Sequence, residues 1–185
     1  MLALAGCAST TGSSSSVEAT SSAAETVSSS AETPTSTGMV NPWSDEKTAD
    51  EAAAGAGIDS FTVPIGTTLT LGPLEESQTT YRCMDGIAEA NIDVAAVNLC
   101  IRKGTSTAAV EEGDISGDYN TYTFGWKQNV SGLEVYCAGN RDGDATKTIW
   151  TDNGMNYSIV ATGLGGDDNF GLSPEDVSTL VSAIK

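Results

Sequence analysis

Thr79-Thr80-Tyr81-Arg82-Cys83-Met84-Asp85-Gly86-Ile87-Ala88-Glu89-Ala90-Asn91-Ile92 is the stretch on which the fold turns. Two β-patterned runs flank Asp85-Gly86, and that dipeptide in such a setting is a type I′ turn signal. The segment therefore predicts a β-hairpin, 79–84 against 87–92. The same grammar continues downstream. A strand over 97–102 is closed by Lys103-Gly104, and a polar loop over 105–117 carries Glu111, Glu112 and Asp114, with Asp118 at its end. Alternating runs return at 119–126, 133–137, 146–151 and 155–161. Asp142-Gly143 and Asn153-Gly154 are two more hairpin turns and join the last three runs. Upstream, Phe61-Thr62-Val63-Pro64 and Thr68-Leu69-Thr70-Leu71 add short strands.

Helices bracket this β region. Thr48-Ala49-Asp50-Glu51 has the pattern of a capping box, followed by Ala52, Ala53, Ala54 and Ala56 and stopped by Gly57. The result is a short helix whose small-residue face can lie close on a sheet. Near the end, Ser173-Pro174-Glu175-Asp176 supplies an N-cap, a proline at the first helical position and acids in the first turn. Val177, Leu180, Val181 and Ile184 then form one apolar stripe. The predicted fold is α+β: a curved antiparallel meander of about eight or nine strands, packed by a short N-terminal helix and a C-terminal amphipathic helix.

Before the domain lies a different kind of sequence. Leu4-Ala5-Gly6-Cys7 matches the lipobox cut by a bacterial lipoprotein-processing peptidase, with Cys7 as the residue that receives lipid. Residues 1–6 then read as the truncated end of a signal peptide, whose full form carries a basic segment and an apolar run. Residues 8–38 hold 18 Ser or Thr out of 31, with three acids and no base. Such a chain cannot bury enough apolar surface to offset its entropy, so 7–38 reads as a lipidated cysteine and a disordered tether. The expected location is the outer face of the plasma membrane, with the lipid as the membrane contact. Residues 39–185 suit a single domain. With the three tether acids removed from 25, that domain has 22 Asp or Glu against 8 Lys or Arg. So acidic a surface argues against nucleic acid as a partner, and against lying flat on anionic lipid.

Reactive chemistry is sparse. The chain has no histidine, which removes Ser-His-Asp and Cys-His catalysis and histidine zinc sites. Ser44-Asp45-Glu46-Lys47 lacks the companion motifs of serine–lysine enzymes. Asn140-Arg141-Asp142-Gly143-Asp144 begins like a calcium loop, but Ala145 stands at the required glycine and Thr151 at the bidentate acid. Asp167-Asp168-Asn169 is a weaker calcium candidate. No catalytic residue, metal ligand or cofactor is assigned. With Cys7 given to lipid, Cys83, Cys100 and Cys137 remain. Alternation puts Cys137 on the face of Leu133 and Val135 and Cys100 on that of Asn98 and Arg102, so Cys83–Cys137 is the preferred disulfide. Tyr122 and Trp126 are the candidates to line a ligand groove on the sheet, although strand aromatics more often serve packing.

Several motifs also carry a resemblance. Met39-Val40-Asn41-Pro42-Trp43 with the Asp50-Glu51-Ala52-Ala53 helix, then Arg102-Lys103-Gly104 and Asp114-Ile115-Ser116-Gly117-Asp118-Tyr119-Asn120, belong to it. So do Gly139-Asn140, Ile149-Trp150 and Tyr157-Ser158-Ile159. Together they resemble a group of uncharacterised Gram-positive exported lipoproteins. Their extracytoplasmic domain of unknown function also occurs on anti-sigma-factor-like proteins and is remotely similar to lipoprotein carriers. The resemblance implies a fold and a compartment in a Gram-positive bacterium, and no activity. The leading expectation is a non-catalytic binding or sensing module for an envelope ligand or protein. A surface display domain without a pocket is the alternative, and a carboxylate-dependent hydrolase the weaker one.

Overall fold

The structure, a computed structural model, describes residues 41–105, 113–165 and 170–185. Ten strands and two α-helices follow in the order β1 (Ser44–Glu46), α1 (Ala49–Ala56), β2 (Thr68–Leu69), β3 (Gly72–Pro73), β4 (Thr79–Met84), β5 (Ile87–Val94), β6 (Val97–Gly104), β7 (Phe124–Val130), β8 (Leu133–Gly139), β9 (Lys147–Asp152), β10 (Met155–Gly163) and α2 (Pro174–Ala183). Eight strands make one antiparallel sheet, ordered β1-β4-β5-β6-β10-β9-β8-β7, while β2 and β3 form a separate ribbon. The α+β class is as the sequence predicts.

Four two-residue turns set the register, around Asp85-Gly86, Ala95-Ala96, Ser131-Gly132 and Asn153-Gly154. Ser131 and Gly132 have φ of 52° and 93°, and Asn153 and Gly154 have 50° and 77°, the double positive φ of a type I′ turn. At Asp85-Gly86 only Gly86 is positive, at 74°, so the expected type I′ geometry is not the one adopted. Ala95 takes φ 51° without a glycine or asparagine to ease it. The pairing of Val94 with Val97 holds it there, with both valines buried in the core.

The sheet is two meanders, β4–β5–β6 and β7–β8–β9–β10, joined where β10 pairs along β6 from Gly163↔Val97 to Asn156↔Gly104. Chain neighbours β6 and β7 are thus separated by β10, β9 and β8. Their connection, described from residue 113 to 123, lies against one face of the sheet. Arg102 Nη1 donates to the Ile115 carbonyl at 2.9 Å, and Lys147 Nζ donates to Asp114 Oδ2 and the Asp118 carbonyl, each at 3.1 Å. Two sequence expectations fail for local reasons. Residues 61–64 form no strand, since Phe61 is buried and Thr62 N donates to the Lys185 carbonyl at 2.9 Å. Residues 119–123 are irregular and β7 starts only at Phe124, because Asx- and Ser-type turns engage the amides ahead of it: Asp118 N to Ser116 Oγ, and Asn120 N to Asp118 Oδ1.

Both helices pack on the opposite, apolar face. Thr48 Oγ1 accepts from Glu51 N at 3.2 Å, and Gly57 at φ 70° stops α1, as its sequence predicts. Ala52, Ala53 and Ala56 are buried in one core with Ala88 and Ala90 of β5, and small residues on both sides permit a close approach. On α2, Val177, Leu180 and Val181 are buried, as is Ile184 just beyond it. Burying each such side chain contributes about 1.5–3 kcal/mol. Asp176 fastens α2 to the small ribbon by accepting from Thr70 N at 2.9 Å and from the Thr70 hydroxyl. Leu99, Ile101, Val135 and Ile159 are fully buried on this face. No described helix is long and apolar enough to cross a membrane.

Candidate functional site

In β6 the core-facing positions are Val97, Leu99, Ile101 and Lys103, so a lysine follows three buried aliphatics in the apolar phase of a strand. Lys103 is only 7% exposed. Its neighbour across the sheet is Tyr157 on β10, buried and stacked on Trp150 of β9 with ring centroids 5.0 Å apart and planes 6° apart. Lys103 Nζ lies 5.7 Å from the Tyr157 ring centroid and donates one long hydrogen bond, 3.4 Å, to Ser60 Oγ. No carboxylate lies within 4.0 Å of it among the described residues.

This ammonium borders a pocket of about 430 Å³ at the end of the sheet. Ile58, Asp59 and Ser60 from the segment after α1 line it with Asp152 and the β9–β10 turn, and Lys185 completes the lining. The volume is within the range of small-molecule sites. Burial holds the Lys103 amine below the ordinary lysine value, against the opposing pull of Asp59 and Asp152. Burial also pushes the Tyr157 hydroxyl up, with the Asp152 charge acting in the same direction. The arrangement offers the mostly buried Lys103, a second lysine in Lys185, hydroxyls from Ser60 and Tyr157, and two carboxylates, from four separate stretches of chain. It can make charge contacts and hydrogen bonds to a polar group.

The opposite face of the sheet holds a second polar cluster. Glu89 on β5 is fully buried and receives hydrogen bonds from Arg82 Nε, from Asn91 Nδ2 and, at 2.7 Å, from Arg102 Nε. Both guanidinium groups also lie over the Trp43 ring, 4.6 Å and 5.0 Å from its centroid. Burial alone raises the Glu89 pKa, but the Arg82 and Arg102 contacts and the Asn91 amide outweigh it and hold the carboxyl below the usual range. No fully buried side-chain nitrogen or oxygen of these residues lacks a hydrogen-bond partner, and the cluster acts as a clasp for the residues ahead of β1. Asp114 behaves similarly: burial raises its pKa, and the hydrogen bonds from Ser116 and Lys147 bring it below normal.

The residues expected from sequence fall elsewhere. Tyr122 belongs to the connection over the polar face, where its hydroxyl donates to Asp118 Oδ2 and Lys147 Nζ lies 5.9 Å from its ring. Trp126 pairs with Cys137 and packs against the apolar core, on the other side of the sheet. The two aromatics therefore share no groove, because the irregular stretch before Phe124 breaks the alternation that would have aligned them. The expected Cys83–Cys137 disulfide is not formed: both are free and buried, and Cys100 is free as well. Cys83 sits on β4 and Cys137 on β8, five strands apart at roughly 4.8 Å per strand, far beyond the reach of a bridge.

Among the described residues no group of three or more His, Cys, Asp or Glu side chains is placed to hold a metal ion. The stretch 140–144 is a turn closed by Arg141 and Asp144, with Arg141 Nε 3.3 Å from Asp144 Oδ2. Cys7 and 167–169 lie outside the described residues. No protein-family model, curated protein or solved structure matches the chain.

Proposed function

We propose that this chain is a non-catalytic binding or sensing module, held on the outer face of the plasma membrane by lipid on Cys7, that takes a small polar ligand in the Lys103 pocket. The observation that carries the reading is the state of Lys103. Lys103 is buried along most of its length, and cations so placed in folded proteins are usually held in close ion pairs. Here the cation has one long hydrogen bond and faces open space of ligand size. The lipobox and the Ser/Thr-rich tether supply the location, and the resemblance to exported Gram-positive lipoproteins agrees with it.

The fully buried aliphatic side chains of the helix-covered face support a polar ligand over an acyl chain, and leave the core filled. The same filled core favours the second reading, a display domain whose acidic surface alone matters. Native mass spectrometry of the full-length protein, extracted from its own membrane, separates the two. The binding module carries an added small mass that is lost on denaturation and is missing from the Lys103→Met variant. A bare protein in both preparations overturns it in favour of display.

A further inference from the structure

The charges of the Lys103 pocket are separated rather than paired. Lys103 is the only buried basic residue among those described. Asp59 and Asp152 line the same pocket, and Lys185 lines it as well. Among the described residues, neither carboxylate accepts a side-chain hydrogen bond or joins an ion pair, and the Tyr157 hydroxyl has no hydrogen-bond partner. The pocket thus presents unspent donors in its interior and unspent acceptors on its walls.

A simple anion fits this arrangement poorly. It gains from Lys103 and from Lys185, but it enters a domain that is acidic overall and meets the like charges of Asp59 and Asp152 there. A simple cation is drawn to Asp59 and Asp152 and then meets the ammonium of Lys103. A molecule carrying both signs avoids each conflict.

We infer that the ligand is a small zwitterion of the amino-acid or short-peptide kind, its carboxylate on Lys103 and Ser60 and its ammonium toward Asp59 and Asp152. Tyr157, stacked on Trp150, offers its hydroxyl and an apolar ring edge to the rest of the molecule. This inference rests on the pocket being a ligand site.

The test titrates the full-length protein with the common free amino acids and alanyl-alanine, each beside its N-acetylated and its amidated form. Binding is followed by calorimetry and by the NMR resonances of Lys103 and Tyr157. The zwitterion should bind at least about ten times more tightly than either blocked form. Lys103→Met should abolish that binding, and Asp152→Asn, at a half-exposed wall position, should erase the preference over the N-acetylated form. An N-acetylated form that binds as tightly as its zwitterion overturns the inference while leaving the pocket a ligand site. Unmoved Lys103 and Tyr157 resonances with every probe overturn both.

Discussion

Arg102 Nε lies 2.7 Å from Glu89 Oε2 across neighbouring strands, and the same guanidinium donates to the Ile115 carbonyl and covers Trp43. One side chain thereby ties three separate parts of the chain to the polar face. Replacing it with methionine leaves Glu89 buried with reduced compensation. Breaking a buried pair costs about 3–5 kcal/mol, and the lower end is expected because Arg82 and Asn91 remain. Urea denaturation of Arg102→Met at neutral pH measures the loss.

The same cluster sets an acid limit. The folded-state pKa of Glu89 lies below its unfolded value, so its contribution is complete above the ordinary glutamate value of about 4.3 and is lost as pH falls through the lower folded one. The acid limb of the stability curve should be shallower in Glu89→Gln than in the wild type. Equal limbs in the two proteins would show that Glu89 is not held in its charged form.

Gly55 of α1 faces Cys83, and a Cβ at that position would collide with the Cys83 sulfur. Gly55→Ala should therefore destabilise the domain by about 1–3 kcal/mol from overpacking, despite the roughly 1 kcal/mol that alanine gains in helix propensity. In a Cys83→Ala background the sulfur is gone and the same change should become stabilising. A double-mutant cycle measured by thermal unfolding gives the coupling directly.

All three domain thiols should resist reagents in the folded protein. Burial pushes Cys137 up to about 11; burial and then the Glu89 charge push Cys100 up to about 12; and burial raises Cys83, with help from Glu46. Little thiolate exists at pH 8 in any of them. Alkylation followed by intact mass should find no rapid labelling in the native state and three reactive thiols in residues 39–185 after denaturation.

Cys7→Ala tests the anchor. The variant should appear in the culture medium, and the wild type should remain with the membrane fraction. A variant that stays membrane-bound removes the lipobox from the account.

Local chemistry determined much of this protein. Thr48 with Glu51, Ser173 with Pro174, the Asn153-Gly154 turn and the apolar stripe of α2 act within a few residues, so their outcomes are visible in the one-dimensional pattern. Asp114-Ile115-Ser116-Gly117 likewise makes a local turn, with Ser116 N donating to Asp114 Oδ1 at 2.8 Å and Gly117 at φ 67°. Lys103 and Glu89 left a trace too: one is a lysine in the apolar phase of a strand, the other an acid between buried alanines. What they would meet was not legible, because partners on Ser60, Asp152 and Tyr157 are set by strand order. The β6–β10 junction, the crossing of the β6–β7 connection over the polar face and the separation of Cys83 from Cys137 likewise depend on which strands pair. Strand pairing is decided by burial summed over the whole sheet. Local sequence therefore chose the elements, and the tertiary structure alone chose which side chains share a pocket.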